Sequence, residues 1–212
     1  MFSGSIVALV TPYVDGAIDW KALKGLVDWH IAQGTQGIVP CGTTGESPTF
    51  THEEQGKVIA EVVQAVAGRV PVIAGAGSNA THEAVALAKA AEKAGADGIL
   101  TITPYYNKPT PEGLFQHFKA VREATRLPMV LYNVPARTGT NMDVDTVIRV
   151  AALGGIDSVK EASASVDKAH ELVSNGIRVL SGEDGLTWPL MAVGASGVIS
   201  VVANFAPRIM RA

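Results

Sequence analysis

The sequence predicts a single α/β domain built as a (β/α)8 barrel, on three observations. Short apolar, β-rich runs recur eight times, amphipathic helical stretches separate them, and no Pro/Gly/Ser-rich linker divides the 212 residues. Hydrophobic residues make up 47% of the chain. That richness suits a parallel sheet buried on both faces, whose strands read as continuous apolar runs rather than alternating ones.

The eight strands are expected at Ile6–Val10, Gly37–Pro40, Val70–Ala74, Gly98–Ile102, Pro128–Tyr132, Ile156–Lys160, Ile177–Leu180 and Gly197–Val201. Helices between them carry start and stop signals. Asp19 is placed to cap a helix with Leu23, Leu26, Val27, His30 and Ile31 on one face, ended by Gly34. Thr51 and Glu54 form a capping box ahead of Val58, Ile59, Val62, Val63 and Val66, with Gly68 as the stop. Thr110-Pro111 opens a fourth helix with proline at its first position, and Ser165 caps a sixth that ends at Asn175-Gly176. Right-handed crossovers leave an open doubly wound sheet or a closed barrel, and eight repeats favour the closed TIM barrel over residues 1–212. Only Ala203–Ala212 follows the eighth strand, so the eighth helix is expected to be incomplete and the chain reads as truncated at its C-terminus.

Composition narrows the function. The net charge of −3 without a basic cluster recommends neither nucleic acid nor an anionic membrane as partner. No apolar stretch approaches the roughly 20 residues a membrane span needs, and the first residues lack signal-peptide character. The single cysteine, Cys41, excludes an internal disulfide and suits a reducing, cytoplasmic compartment. His30, His117 and His170 fall within predicted helices, and His52 and His82 in first turns, so no metal site is expected. Cys41 has no histidine on a strand end to activate it and reads as a small buried side chain. The acidic Glu183 and Asp184 after strand seven disfavour a phosphate site there.

Barrel enzymes carry their chemistry at the C-terminal ends of the strands. The most informative residue there is Lys160. An ammonium group inside a barrel is costly to desolvate, which lowers its pKa and leaves a nucleophilic amine able to attack a ketone. The alternative is a strand-end lysine reaching solvent beside Glu161. Gly42-Thr43-Thr44-Gly45 offers backbone N–H groups and two hydroxyls at a helix start, suited to a carboxylate; it also reads as an ordinary capped βα loop. Tyr132 suits a general acid/base if a hydrogen-bond relay serves it, or is a packed aromatic. Arg137 is able to hold a carboxylate bidentately, or is a solvated loop arginine. Tyr105 and Tyr106, being adjacent, point opposite ways in an extended segment.

Taken in order, Gly4–Pro12, Gly42-Thr43-Thr44-Gly45-Glu46-Ser47, Pro104-Tyr105-Tyr106-Asn107-Lys108-Pro109, Tyr132–Gly139 and Lys160-Glu161-Ala162 resemble the dihydrodipicolinate synthase family, within the N-acetylneuraminate lyase group. The second threonine and the Arg137-Thr138-Gly139 ending favour the synthase branch over the lyases. The resemblance implies a class I aldolase-type lyase, without cofactor, condensing pyruvate with aspartate semialdehyde to 4-hydroxy-tetrahydrodipicolinate for lysine and diaminopimelate synthesis. It implies Lys160 as the Schiff-base lysine, Tyr132, Thr43 and Tyr106 as a proton relay, with Tyr106 supplied by a neighbouring subunit, and Thr44, Arg137, Gly185 and Ile199 as substrate contacts. It further implies a homodimer or homotetramer, and a lysine effector site at Ser47, Pro48, His52, Asn79, Glu83 and Tyr105; Gln55 stands where some lysine-sensitive members have histidine. A related 2-keto acid aldolase and a truncated, non-catalytic chain are the alternatives. Family members normally continue past the eighth strand into a completed helix and a further helical segment, which this chain lacks.

Overall fold

The computed structural model describes residues 1–211. Eight parallel strands, β1 (Gly4–Ala8), β2 (Gly37–Val39), β3 (Ile73–Gly75), β4 (Gly98–Ile102), β5 (Met129–Asn133), β6 (Ile156–Glu161), β7 (Val179–Ser181) and β8 (Gly197–Ser200), form one sheet. The sheet runs in ladder order from β2 through β1 and β8 down to β3. An Ile38–Val72 bridge, with Ile38 N donating to Pro71 O at 3.0 Å and Gly75 N to Pro40 O at 2.9 Å, joins its two edges. The barrel is therefore closed, and its interior is a packed core.

Helices α1 (Trp20–Ala32), α2 (His52–Val66), α3 (Thr81–Lys93), α4 (Pro111–Ala124), α5 (Val144–Ala151), α6 (Val166–Ser174), α7 (Thr187–Ala192) and α8 (Pro207–Arg211) form the outer ring. Their ends are fixed by the expected side chains. Asp19 accepts from Ala22 N at 2.9 Å, Ser165 from Lys168 N at 3.1 Å and Thr110 from Gly113 N at 3.2 Å. Thr51 and Glu54 cap each other reciprocally. Strand alternation sorts the core into two parts. Ile6, Val39, Ile73, Leu100, Val130, Tyr132, Leu180 and Ile199 fill the barrel. Val7, Ile38, Ala74, Ile99, Leu131, Val159 and Val179 pack outward against the helices.

β4 matches the sequence expectation at both ends, and the other strand edges differ from it by at most three residues. β1 begins at Gly4 and ends at Ala8, and β3 contracts to Ile73–Gly75. Apolar content marks burial, whereas strand ends are set by where the neighbouring ladder stops. A small hairpin, Tyr13–Val14 with Ala17–Ile18, escaped the sequence reading although Asp15-Gly16 between them has the expected turn chemistry, both at positive φ.

Five described residues, Pro207–Arg211, form the last helix. The seam between β8 and β1 is intact: four register pairs run from Gly4–Gly197 to Val7–Ser200. Asn204 bridges its end, donating from Nδ2 to Ala8 O at 2.8 Å and accepting at Oδ1 from Val10 N at 3.1 Å. Ile6, Val7, Val198 and Ile199 are all buried. The exposed apolar side chains lie one layer further out, at Trp188, Met191, Val201, Phe205 and Ile209.

Candidate active site

After a register shift between Met129 and Val130, β5 and β6 pair without interruption, and the pair Tyr132–Lys160 falls near their C-terminal ends. Lys160 is only 6% exposed, which removes the reading of a lysine reaching solvent beside Glu161. Its Nζ lies 4.2 Å from the centroid of the Tyr132 ring. Burial pulls the amine down to about 8, partly opposed by the negative charges of Asp184 and Glu183 and helped by the positive Arg137. Burial also raises the Tyr132 hydroxyl, with Arg137 opposing and Glu183 adding to the rise. Space for the lysine stem comes from Gly182, where an added Cβ would stand 2.7 Å from the Ala162 Cβ and 3.2 Å from Lys160 Cε.

The loop after β2 turns sharply. Cys41 holds a left-handed backbone at φ 54°, and its carbonyl oxygen packs 1.9 Å from where a Cβ on Gly75 would lie. Only glycine fits at that crossing. Burial raises the Cys41 thiol to about 12, so the sulfur is an inert thiol that donates weakly to Gln55 O. Thr43–Gly45 then forms one 3-10 turn, tied to β1 by Thr11 Oγ1 donating to Gly45 O at 2.8 Å. The leading amides of a helical turn have no acceptor within it, which leaves the Thr43 and Thr44 N–H groups available to an anion.

A cavity of about 370 Å3 opens at this end of the barrel, with Thr43, Tyr132 and Arg137 on its wall. Ser47, Pro48, His52, Glu83 and Tyr105 line the same cavity. Thr43, Tyr132 and Arg137 of the expected catalytic set thus share one continuous space with most of the expected effector set, while Lys160 lies behind the Tyr132 ring and does not itself line it. Asn79 does not line it; its carbonyl accepts from Asn107 Nδ2 at 3.1 Å. Glu83 accepts from Ser78 Oγ at 2.6 Å, and Gln55 donates to Gly75 O at 2.8 Å. Thr44 is half-buried behind Thr43, and Ile199 sits in the interior cluster with Tyr132. Gly185 lies exposed in the turn Asp184–Leu186. Tyr106 is 91% exposed at φ 73°, pointing away from its own barrel, while Tyr105 turns toward the cavity. Among the described residues no cluster of three or more His, Cys, Asp or Glu is arranged to hold a metal ion, and no helix is long and apolar enough to cross a membrane.

Behind the lysine the structure adds residues the sequence reading passed over. Asn133 and Glu161, one step beyond Tyr132 and Lys160, face outward and bond each other, and Glu161 meets Lys168 of α6. The signal was the strand alternation itself, which sends a buried carboxylate to the opposite face from the lysine.

A closed (β/α)8 barrel with a desolvated lysine stacked on a tyrosine at the strand ends belongs to the class of barrel enzymes that work through an amine. The model of the dihydrodipicolinate synthetase family matches residues 1–212, and the chain belongs to that family. It is 56% identical to 4-hydroxy-tetrahydrodipicolinate synthase of Pelobacter propionicus over 211 residues, covering 98% of this chain and 73% of the relative. The chloride-inhibited dihydrodipicolinate synthase of Acinetobacter baumannii, complexed with pyruvate, superposes with a TM-score of 0.97 at 51% identity, covering 100% of this chain and 74% of that one. The enzyme from Cyanidioschyzon merolae with lysine bound gives 0.95 at 40% identity, covering 99% and 73%. The chain spans about three quarters of the length of these relatives. Their names favour the synthase over a related 2-keto acid aldolase or a non-catalytic chain.

Proposed function

We infer that this chain condenses pyruvate with aspartate semialdehyde through a Schiff base on Lys160, giving 4-hydroxy-tetrahydrodipicolinate. The observation that carries the reading is the Lys160 amine, buried, lowered to about 8 and held 4.2 Å from the Tyr132 ring. In its neutral form the amine attacks C2 of pyruvate, and loss of water leaves an iminium. The iminium withdraws electrons, so a methyl proton leaves and an enamine forms. The enamine carbon attacks the aldehyde carbon of the semialdehyde, whose oxygen takes up a proton. The substrate's own amine then adds to C2, closes the ring and releases Lys160.

The remaining roles follow from position. The Thr43 and Thr44 amides receive the pyruvate carboxylate at the start of the 3-10 turn. Tyr132 and Thr43, on one cavity wall, carry protons to and from the reacting carbons. Tyr106 completes that relay in a neighbouring subunit, which its outward direction supports. Arg137, on the same wall, pairs with the semialdehyde carboxylate. Ile199 and Gly185 bound the pyruvate side. The chain acts as a cytoplasmic homodimer or homotetramer and needs no cofactor. Lysine acts as an inhibitor at Ser47, His52, Glu83 and Tyr105, with Asn79 beside them; the lysine-bound relative supports this part.

Borohydride reduction in the presence of pyruvate tests the reading. A stable adduct is expected on Lys160 and is lost in Lys160→Ala. An adduct on another residue, or none in the folded chain, overturns it.

A further inference from the structure

We propose that Glu161 and Lys168, a buried ion pair on the outer face of β6, are positioning residues for the Lys160 amine; this rests on the reading of Lys160 given above. The two register pairs at the end of β5 and β6 face opposite ways: Tyr132–Lys160 into the barrel, Asn133–Glu161 into the layer under the helices. Glu161 is 2% exposed there. Its two oxygens accept from Asn133 Nδ2 at 3.0 and 3.1 Å, one of them also from Ser163 N at 2.7 Å, and Lys168 Nζ stands 3.4 Å away. Lys168 Nζ in turn donates to Asn141 Oδ1 at 2.7 Å and to the Met142 carbonyl. Asn133 closes the circuit, donating to Asn141 Oδ1 at 2.9 Å and accepting from Met142 N at 3.0 Å.

This cluster grips the residue immediately after Lys160 and the residue immediately after Tyr132. The peptide after Glu161 is held by the sheet on both sides, Ala162 N donating to Asn133 O at 2.9 Å and Gly182 N to Glu161 O at 2.8 Å, so the side-chain cluster clamps the same point of β5 and β6 from outside. Apolar packing would bury the same volume without tying Asn133, Glu161 and Ser163 to one another; directional hydrogen bonds to a carboxylate tie them. Buried ion pairs are poor stabilisers compared with apolar side chains of similar size, so stability alone gives little reason for one here. The pair has a second consequence. Lys168 neutralises a carboxylate one residue from the Schiff-base amine, leaving Asp184, Glu183 and Arg137 as the charges that face Lys160. Lys168 itself is faced by Glu161, Asp143 and Glu171.

The test compares Lys168→Met, Glu161→Gln and the conservative Lys168→Arg with the parent chain. The rate of borohydride trapping of pyruvate is followed from neutral to alkaline pH, alongside thermal unfolding. Folded Lys168→Met is expected to trap at least about tenfold more slowly at saturating pyruvate, with half-saturation changed by less than about twofold. Its pH midpoint moves to the alkaline side, Glu161→Gln moves it the other way, and Lys168→Arg recovers most of the rate. A folded Lys168→Met with the parent's rate and midpoint overturns the proposal, leaving the pair a structural bolt. Should that variant not fold, the double variant Lys168→Met/Glu161→Gln, which leaves no unpaired charge and is expected to keep the parent's midpoint, takes its place: trapping at least about tenfold slower supports the positioning role and the parent's rate overturns it. Acylation of Lys160 measured by peptide mass spectrometry reads the amine without pyruvate. A parent chain that acylates at Lys160 yet traps no pyruvate therefore strikes the proposed chemistry alone, and the same variants still decide the positioning role by their acylation rates.

Discussion

Lys160 is held in a place that costs the fold something and gives the chemistry something. Its amine binds protons less tightly in the folded chain than in the unfolded one, about 8 against 10.5. The unfolded state therefore takes up the extra proton, and stability falls as pH drops from the unfolded value to the folded one, with the full penalty present below about 8. Removing the charge with Lys160→Met is expected to raise stability at neutral pH by up to about 3 kcal/mol, read as a higher denaturation midpoint in urea together with complete loss of pyruvate trapping. On the chemistry proposed for Lys160, the same proton would set the working range. Trapping by the parent chain should climb about tenfold per pH unit below the midpoint, where the neutral amine is scarce, and level off above about 8. A flat profile across that interval would mean that the amine is not the titrating group. Gly182 tests the space rather than the charge. Gly182→Ala places a methyl 3.2 Å from Lys160 Cε and 2.7 Å from Ala162, an overpacking worth about 1–3 kcal/mol. Slower trapping in a chain that still folds is the expected result.

Helix α2 shows how an element carries a site without touching the reacting atoms. Its first turn brings His52 and Gln55 to the cavity, and Thr51 and Glu54 fix where that turn begins. Thr51→Ala removes the acceptor for Glu54 N at 3.2 Å, and a loss of about 1 kcal/mol is expected in chemical denaturation. Trapping at Lys160 should be almost unchanged, because the lysine hangs on β6. This capping box was plain in the sequence, as were the other caps at Asp19, Thr110 and Ser165, since each is a contact over three residues. Lys160 was legible too: a cation in an apolar strand contradicts its surroundings, and the family motifs named it. What escaped was contact at longer range. Lys168 reads as an ordinary helix lysine until α6 is laid against β5 and β6, where Glu161, Asn141 and the Met142 carbonyl receive it. The single cavity shared by Thr43 and Glu83 was invisible for the same reason; residues forty positions apart meet only through the closure of the sheet between β2 and β3.

At the scale of the whole molecule, the strands of the seam are buried while several apolar side chains on the elements that follow β7 and β8 are exposed. Phe205 and Ile209 are each 75% exposed, and Trp188 is 74% exposed. Exposed apolar side chains of this size favour contact with partners or other copies of the chain. Phe205→Asp with Ile209→Asp is expected to lower self-association in analytical ultracentrifugation while leaving the unfolding midpoint close to that of the parent chain, since neither side chain is in the core. A large fall in the midpoint would show instead that these residues pack in solution.

The pairing of Gly4 with Gly197 and of Val7 with Ser200 joins the first strand to the last, with nearly the whole chain strung between them. Closing so long a loop is the most expensive entropic step available to this topology, and it returns its contacts only when the final strand arrives. Local βα units are therefore expected to condense early and the ring to shut late. Asn204, which ties the two ends of that joint, belongs to the late event. Asn204→Ala should accordingly hasten unfolding far more than it slows refolding.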